Sequence, residues 1–276
     1  MPRLVVTAVL FAASIFLSST ANSHFQMIYT EQSALNKAQD LEFAMVFTHP
    51  FAAGHTMGMG EPEAFYLLHQ RGDDGEPEKV DLREYLQAVT WTSLTNAGKA
   101  YVANVPRKVA RSLGDYVFVL QPAPYYEGEE DKYIQQITKT IVNVGGVPGN
   151  WGSEVGLPAE IVPYDKPYAN WKGGVFRGIV LSGGKAVPNA ELEIEYMNHA
   201  PNIGARRFEN AAAVEAPHNA FKTMSIRADA GGEFVIGLPK AGWWGICALK
   251  VGPQKEHKGK PLSQDAVLWV QVTDMP

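Results

Sequence analysis

Cysteine is almost absent: 276 residues carry one, Cys247. A lone cysteine closes no disulfide within the chain, so the fold must be held by its apolar core and backbone pairing. Cys247 stands in Trp243-Trp244-Gly245-Ile246-Cys247-Ala248-Leu249, which reads as a buried strand, and is expected as a small core residue. Positive charge is also short. Lys and Arg number 24 against 29 Asp and Glu, for a net charge of −5. That balance provides no basic footprint for nucleic acid or anionic lipid. Beyond residue 17 no apolar run approaches the roughly 20 residues of a membrane span. Enzyme signatures are missing as well. There is no Gly-x-Ser-x-Gly elbow, His-Glu-x-x-His, phosphate loop or dinucleotide fingerprint, and the protein is expected not to be an enzyme.

What is present begins with an export signal. Arg3 supplies a positive start, Leu4 to Leu17 is apolar, and Ser18 to Ser23 offers small residues for cleavage. Residues 1–23 are read as a signal peptide and the processed protein as periplasmic. No cysteine stands at the cleavage site, which argues against a lipoprotein. Cleavage after Ser23 leaves His24 first; cleavage after Ala21 is the competitor and leaves Asn22 first.

The full sequence is 46% hydrophobic, enough to fill real cores, and beyond the signal its pattern is strand after strand. Leu41 to Phe47, Lys99 to Val105 and Asp115 to Leu120 alternate at period two, and Lys132 to Val144 is a longer β-rich run. Val80 to Gln87 leaves room for one helical turn. Strands are expected again at Val175 to Leu181, Ala190 to Met197, Phe221 to Ala228, Glu233 to Leu238, Trp243 to Lys250 and Ala266 to Thr273. Gly183-Gly184 and Ala230-Gly231-Gly232 read as hairpin turns. The fold class expected is all-β: two immunoglobulin-like or prealbumin-like β-sandwich domains, 24–145 and 171–276, joined by a Pro/Gly-rich connector over 146–170. Asn198 to Ala220 is expected as a long mobile loop.

The strongest chemical signal is a concentration of His and Met near the expected new N-terminus: His24, then His49, His55, Met57 and Met59. An N-terminal histidine offers two nitrogens at once. Its α-amine and ring Nδ1 close a six-membered chelate on one ion, and an amine pKa of about 7.7–8.0 makes proton loss cheap near neutrality. His49 follows an apolar strand and precedes Pro50, which cannot continue a central ladder, so it belongs at a strand end. His55, Met57 and Met59 would share one face if extended. Imidazole suits nickel, cobalt, copper and zinc, whereas thioether favours copper(I). His69, His199, His218 and His257 are expected at the surface, as is the acidic run Glu127, Glu129, Glu130 and Asp131.

At these residues the sequence resembles a known family. His24-Phe25-Gln26-Met27, Phe47-Thr48-His49-Pro50 with Met57-x-Met59, and Gly114-Asp115-Tyr116-Val117-Phe118 running into Gln121-Pro122-Ala123-Pro124-Tyr125 carry the likeness. So do Glu154-Val155-Gly156-Leu157-Pro158, Val175-Phe176-Arg177-Gly178 and Ala241-Gly242-Trp243-Trp244-Gly245. Together they are similar to the periplasmic component of cobalt/nickel-type (energy-coupling-factor-like) metal uptake systems, a domain-of-unknown-function family. The resemblance implies binding of nickel(II) or cobalt(II) at His24, His49, Met57 and Met59, with His55 less firmly placed, and delivery to a membrane transport component. Copper binding, for delivery or as an N-terminal-histidine oxidative enzyme, and a purely structural β-sandwich module are the alternatives.

Overall fold

The computed structural model describes residues 24–70 and 75–276. The expected signal peptide, 1–23, lies outside the described residues. Among the described residues, regular structure is almost all strand, and the helical elements are single 3-10 turns at Arg83–Tyr85 and Asn219–Phe221. The first falls inside the stretch where a helical turn is expected. Among the described residues, no helix is long and apolar enough to cross a membrane.

The alternating segments form strands at Leu41–Met45, Ala97–Val105, Gly114–Gln121 and Lys132–Val144. The second half adds Gly174–Ser182, Glu191–Tyr196, Thr223–Arg227, Glu233–Leu238, Gly242–Ala248 and Lys260–Thr273. Gly183 and Gly184 turn the first of these back on itself with φ of 53° and 76°. Two successive positive φ values favour glycine and match the twist of paired strands.

Strand pairing does not stop at the expected division. A 12-stranded sheet runs through both halves. Its seam is a parallel ladder between Lys132–Val144 and Lys260–Thr273, from Tyr133 opposite Leu262 to Thr140 opposite Trp269. A 5-stranded sheet also crosses the division, because Arg207 pairs with Thr92. The halves are thus separate in chain order but joined by shared sheets.

Two stretches read as irregular contain strands. The connector supplies Ala159–Pro163, which pairs along Gly174–Ser182. The expected loop 198–220 folds into His199–Asn202 and Arg207–Ala212, which pair with each other. Both escape a period-two reading for physical reasons. Ala159–Pro163 is buried throughout, and a strand buried on both faces does not alternate. Arg207–Ala212 buries only Phe208.

The long central strands are likewise covered on both sides. Leu268 and Val270 face a core shared with Ile161, Phe176 and Ile236. Val267 and Trp269 face a second core with Phe25, Met27, Trp91 and Trp243. A third core fills the first half around Phe43, Phe65, Phe118 and Val142. Cys247 lies fully buried in the second core, and burial raises its thiol pKa well above the usual range.

Candidate metal centre

The site starts with the pinning of residues 24–27. Phe25–Gln26 runs antiparallel to Phe47–Thr48, with Phe25 opposite Thr48 and Gln26 opposite Phe47. Carrying that register one residue outward sets His24 opposite His49, and their ring centroids lie 4.5 Å apart. Phe25 and Met27 are fully buried, which favours the docked segment by about 1.5–3 kcal/mol per side chain. Phe25 can seat because position 245 is glycine: a Cβ there would come within 2.8 Å of Phe25 and 2.9 Å of Trp269. Hydrogen bonds fix the backbone. Trp269 Nε1 donates to the Gln26 carbonyl at 2.8 Å and Met27 N–H to Val46 at 2.8 Å. Gln136 accepts from the Gln26 N–H at 2.7 Å and donates to the His24 carbonyl at 2.8 Å. His24 is therefore a held post and not a frayed end.

The partner loop, 49–59, is held as firmly. His49 follows the strand Phe47–Thr48 directly. Thr48 Oγ1 donates to the His55 carbonyl at 3.1 Å, and Met57 N–H to the Phe47 carbonyl at 2.9 Å. Asn96 clamps Thr56, accepting from its N–H at 2.7 Å and donating to its carbonyl at 3.1 Å. The loop lies so close over position 98 that a Cβ there would stand 2.6 Å from the Thr56 carbonyl oxygen.

A cavity of about 740 Å3 opens over these residues, lined among others by His24, His49, His55, Met57 and Glu127. Four of the five expected ligands are thus brought to one space. Met59 is not. It is buried in the first-half core and accepts a hydrogen bond from Gln26 Nε2 at 3.6 Å. The shared face expected for His55, Met57 and Met59 is not formed: His55 is exposed, while both methionines are buried.

Burial, followed by the neighbouring His49, Lys132 and His55, lowers the His24 pKa to about 3. The ring is therefore neutral near pH 7, with one nitrogen bare for a metal ion. Its Nε2 stands 3.5 Å from Glu127 Oε2. With a neutral ring this contact is not an ion pair. Among the described residues, no three His, Cys, Asp or Glu side chains converge closely enough to hold an ion alone. A site here would need a donor of another kind as well.

Glu127 was hidden in an acidic run that reads as solvated loop. Its place follows from the strand Tyr125–Glu127, which pairs with Lys132–Val144 so that Glu127 faces Lys132. Gln136 and Asp265, also on the cavity wall, carry no sequence signal of their own. Two histidines expected at the surface are buried: His69 stacks flat on Tyr116 at 4.2 Å, and His199 holds the Glu209 carbonyl at 3.0 Å. On the other side of His49 and His55 a second cavity of about 810 Å3 is lined by Glu193, Glu195 and His218. Burial raises the Glu195 pKa to about 7.

Solved structures with a similar all-β outline include the D0-D1 domain of Intimin, 11% identical, covering 90% of this chain and 100% of that one with a TM-score of 0.22. The Yersinia pseudotuberculosis adhesin InvE is 10% identical, with 91% and 59% coverage and a TM-score of 0.23. Titin A168169 is 10% identical, with 91% and 99% coverage and a TM-score of 0.18. Likeness at these scores carries no argument about function. No curated protein matches the chain in sequence. A family model described as a domain of unknown function, DUF4198, matches residues 21–252, and the chain belongs to that family.

Proposed function

We propose that the exported protein binds one divalent transition-metal ion, nickel or cobalt, as cargo and passes it to a membrane uptake component. The supporting observation is the pairing of His24 with His49 at 4.5 Å on the wall of an open cavity. After cleavage at Ser23, His24 would hold the ion through its α-amine and Nδ1, and His49 through its ring. His55 and Met57 line the same space as further donors, whereas Met59 serves packing. A neutral His24 ring and an amine that loses its proton near neutrality leave few protons to displace. The rigid docking of residues 25–27 limits the ordering cost of binding.

A copper-delivery reading stands second, supported by the Met57 thioether beside the imidazoles, since thioether favours copper(I). The test is a titration of the processed protein with nickel, cobalt, copper and zinc, repeated with one extra residue before His24. Loss of most nickel and cobalt affinity on extension supports the chelate; unchanged affinity contradicts it. Copper tends to bind tightest in vitro whatever the cargo, so metal content after native expression decides between the two readings.

A further inference from the structure

We propose that Glu127 positions His24: its Oε2 accepts the ring Nε2–H, leaving Nδ1 as the bare nitrogen that meets the ion. The inference rests on the metal-binding reading and adds to it the group that orients the first ligand. Ring size dictates which nitrogen the chelate uses. The α-amine and Nδ1 of one histidine close six members around an ion, whereas Nε2 points away and cannot join the same ring. Glu127 Oε2 stands at that other nitrogen, 3.5 Å from it.

The carboxylate is itself held. Its Oε1 accepts the backbone N–H of Glu129 at 3.3 Å, so Oε2 is the oxygen left to face the ring. Both side chains are mostly shielded, with 18% and 16% of their surfaces exposed, so water competes weakly for the contact. The ring nitrogens diverge, so a carboxylate on the Nε2 side lies away from an ion on Nδ1. Metal-bound histidines commonly give their second N–H to a carboxylate or carbonyl, which fixes tautomer and ring angle.

The test uses the exported, processed protein and its Glu127→Ala and Glu127→Gln variants, with two readouts. The first is the nitrogen NMR signature of the metal-free protein near neutral pH. The wild type should show His24 protonated on Nε2 with a slowly exchanging proton, and Glu127→Ala should lose that protection. This readout needs no metal, so it stands or falls separately from the cargo reading. The second is affinity for nickel(II) and cobalt(II). Glu127→Ala should weaken both by roughly 10- to 100-fold, Glu127→Gln should recover part of the loss, and the visible spectrum of the cobalt form should stay the same. In a His24→Ala background the Glu127→Ala loss should vanish. A proton on Nδ1, an undiminished affinity in Glu127→Ala, or a cobalt spectrum changed by Glu127→Gln would each overturn the proposal; the last would make Glu127 a ligand.

Discussion

The strand Lys132–Val144 carries buried polar groups at both ends, and the two ends treat them differently. At the far end Lys139 donates to Glu160 at 2.7 Å, and Glu160 also accepts from the N–H groups of Val155 and Leu157 at 2.9 and 3.1 Å. Asn143 and the backbone of Gly149 and Trp151 close around the Asp115 carboxylate in the same way. These groups find their partners within the protein and lock the 145–163 segment to the sheet. At the near end Gln136 spans Gln26, His24, Cys247 and Asp265, yet the wall it supports opens onto a cavity of about 740 Å3. Closed polar clusters are structural; a supported cluster facing open space is where a ligand can be held.

The sharpest way to break that comparison is at the closed end. Lys139→Met strands the Glu160 carboxylate, 2% exposed, and should cost about 3–5 kcal/mol in denaturant unfolding while leaving metal affinity unchanged. A loss below about 1 kcal/mol would mean that the ion pair is not what closes this end.

Glu195 is an intermediate case: it is buried, and among the described residues its carboxyl accepts from the Thr223 hydroxyl and the Phe51 N–H. Its pKa is raised by burial from 4.5 to about 7. The unfolded chain therefore releases this proton at lower pH, and stability falls as pH rises through that window, by about 3 kcal/mol in all. Glu195→Gln, whose amide can donate to Thr223 and accept from Phe51, should flatten the stability profile between pH 4.5 and 7. An unchanged slope would assign the pH dependence elsewhere.

At the open end the effects should appear in binding. His49→Ala should weaken nickel or cobalt binding by at least about 100-fold, roughly 2.7 kcal/mol, more than loss of an orienting partner costs, with little change in unfolding midpoint. The smallest effect is expected at Met59. Met59→Leu keeps the packing volume and should cost under about 1.5 kcal/mol, with metal affinity intact; a lost affinity would return Met59 to the ligand set.

What could be read from the sequence follows the range of the interactions. Leu41–Met45 and Gly114–Gln121 declare themselves through alternation or apolar run, and His49 through the proline after it. His24 and His49 attract notice by chemistry, but only the pairing of Phe25 with Thr48 makes them neighbours. The seam between Lys132–Val144 and Lys260–Thr273 joins residues over a hundred positions apart, and no local pattern encodes it. Glu127 was illegible for a related reason. An acidic residue in a turn looks solvated until the strand Tyr125–Glu127 pairs back and turns its carboxylate toward His24. The strand Arg207–Ala212 has one buried apolar residue, Phe208, too few to reveal a period.

The most direct test of the central claim is the intact mass of the protein recovered from its native compartment under conditions that retain bound ions. The expected result is a polypeptide beginning at His24 and carrying one nickel or cobalt ion. A polypeptide beginning at Asn22, or one beginning at His24 that carries no metal from metal-replete cells, would contradict the amine–imidazole chelate.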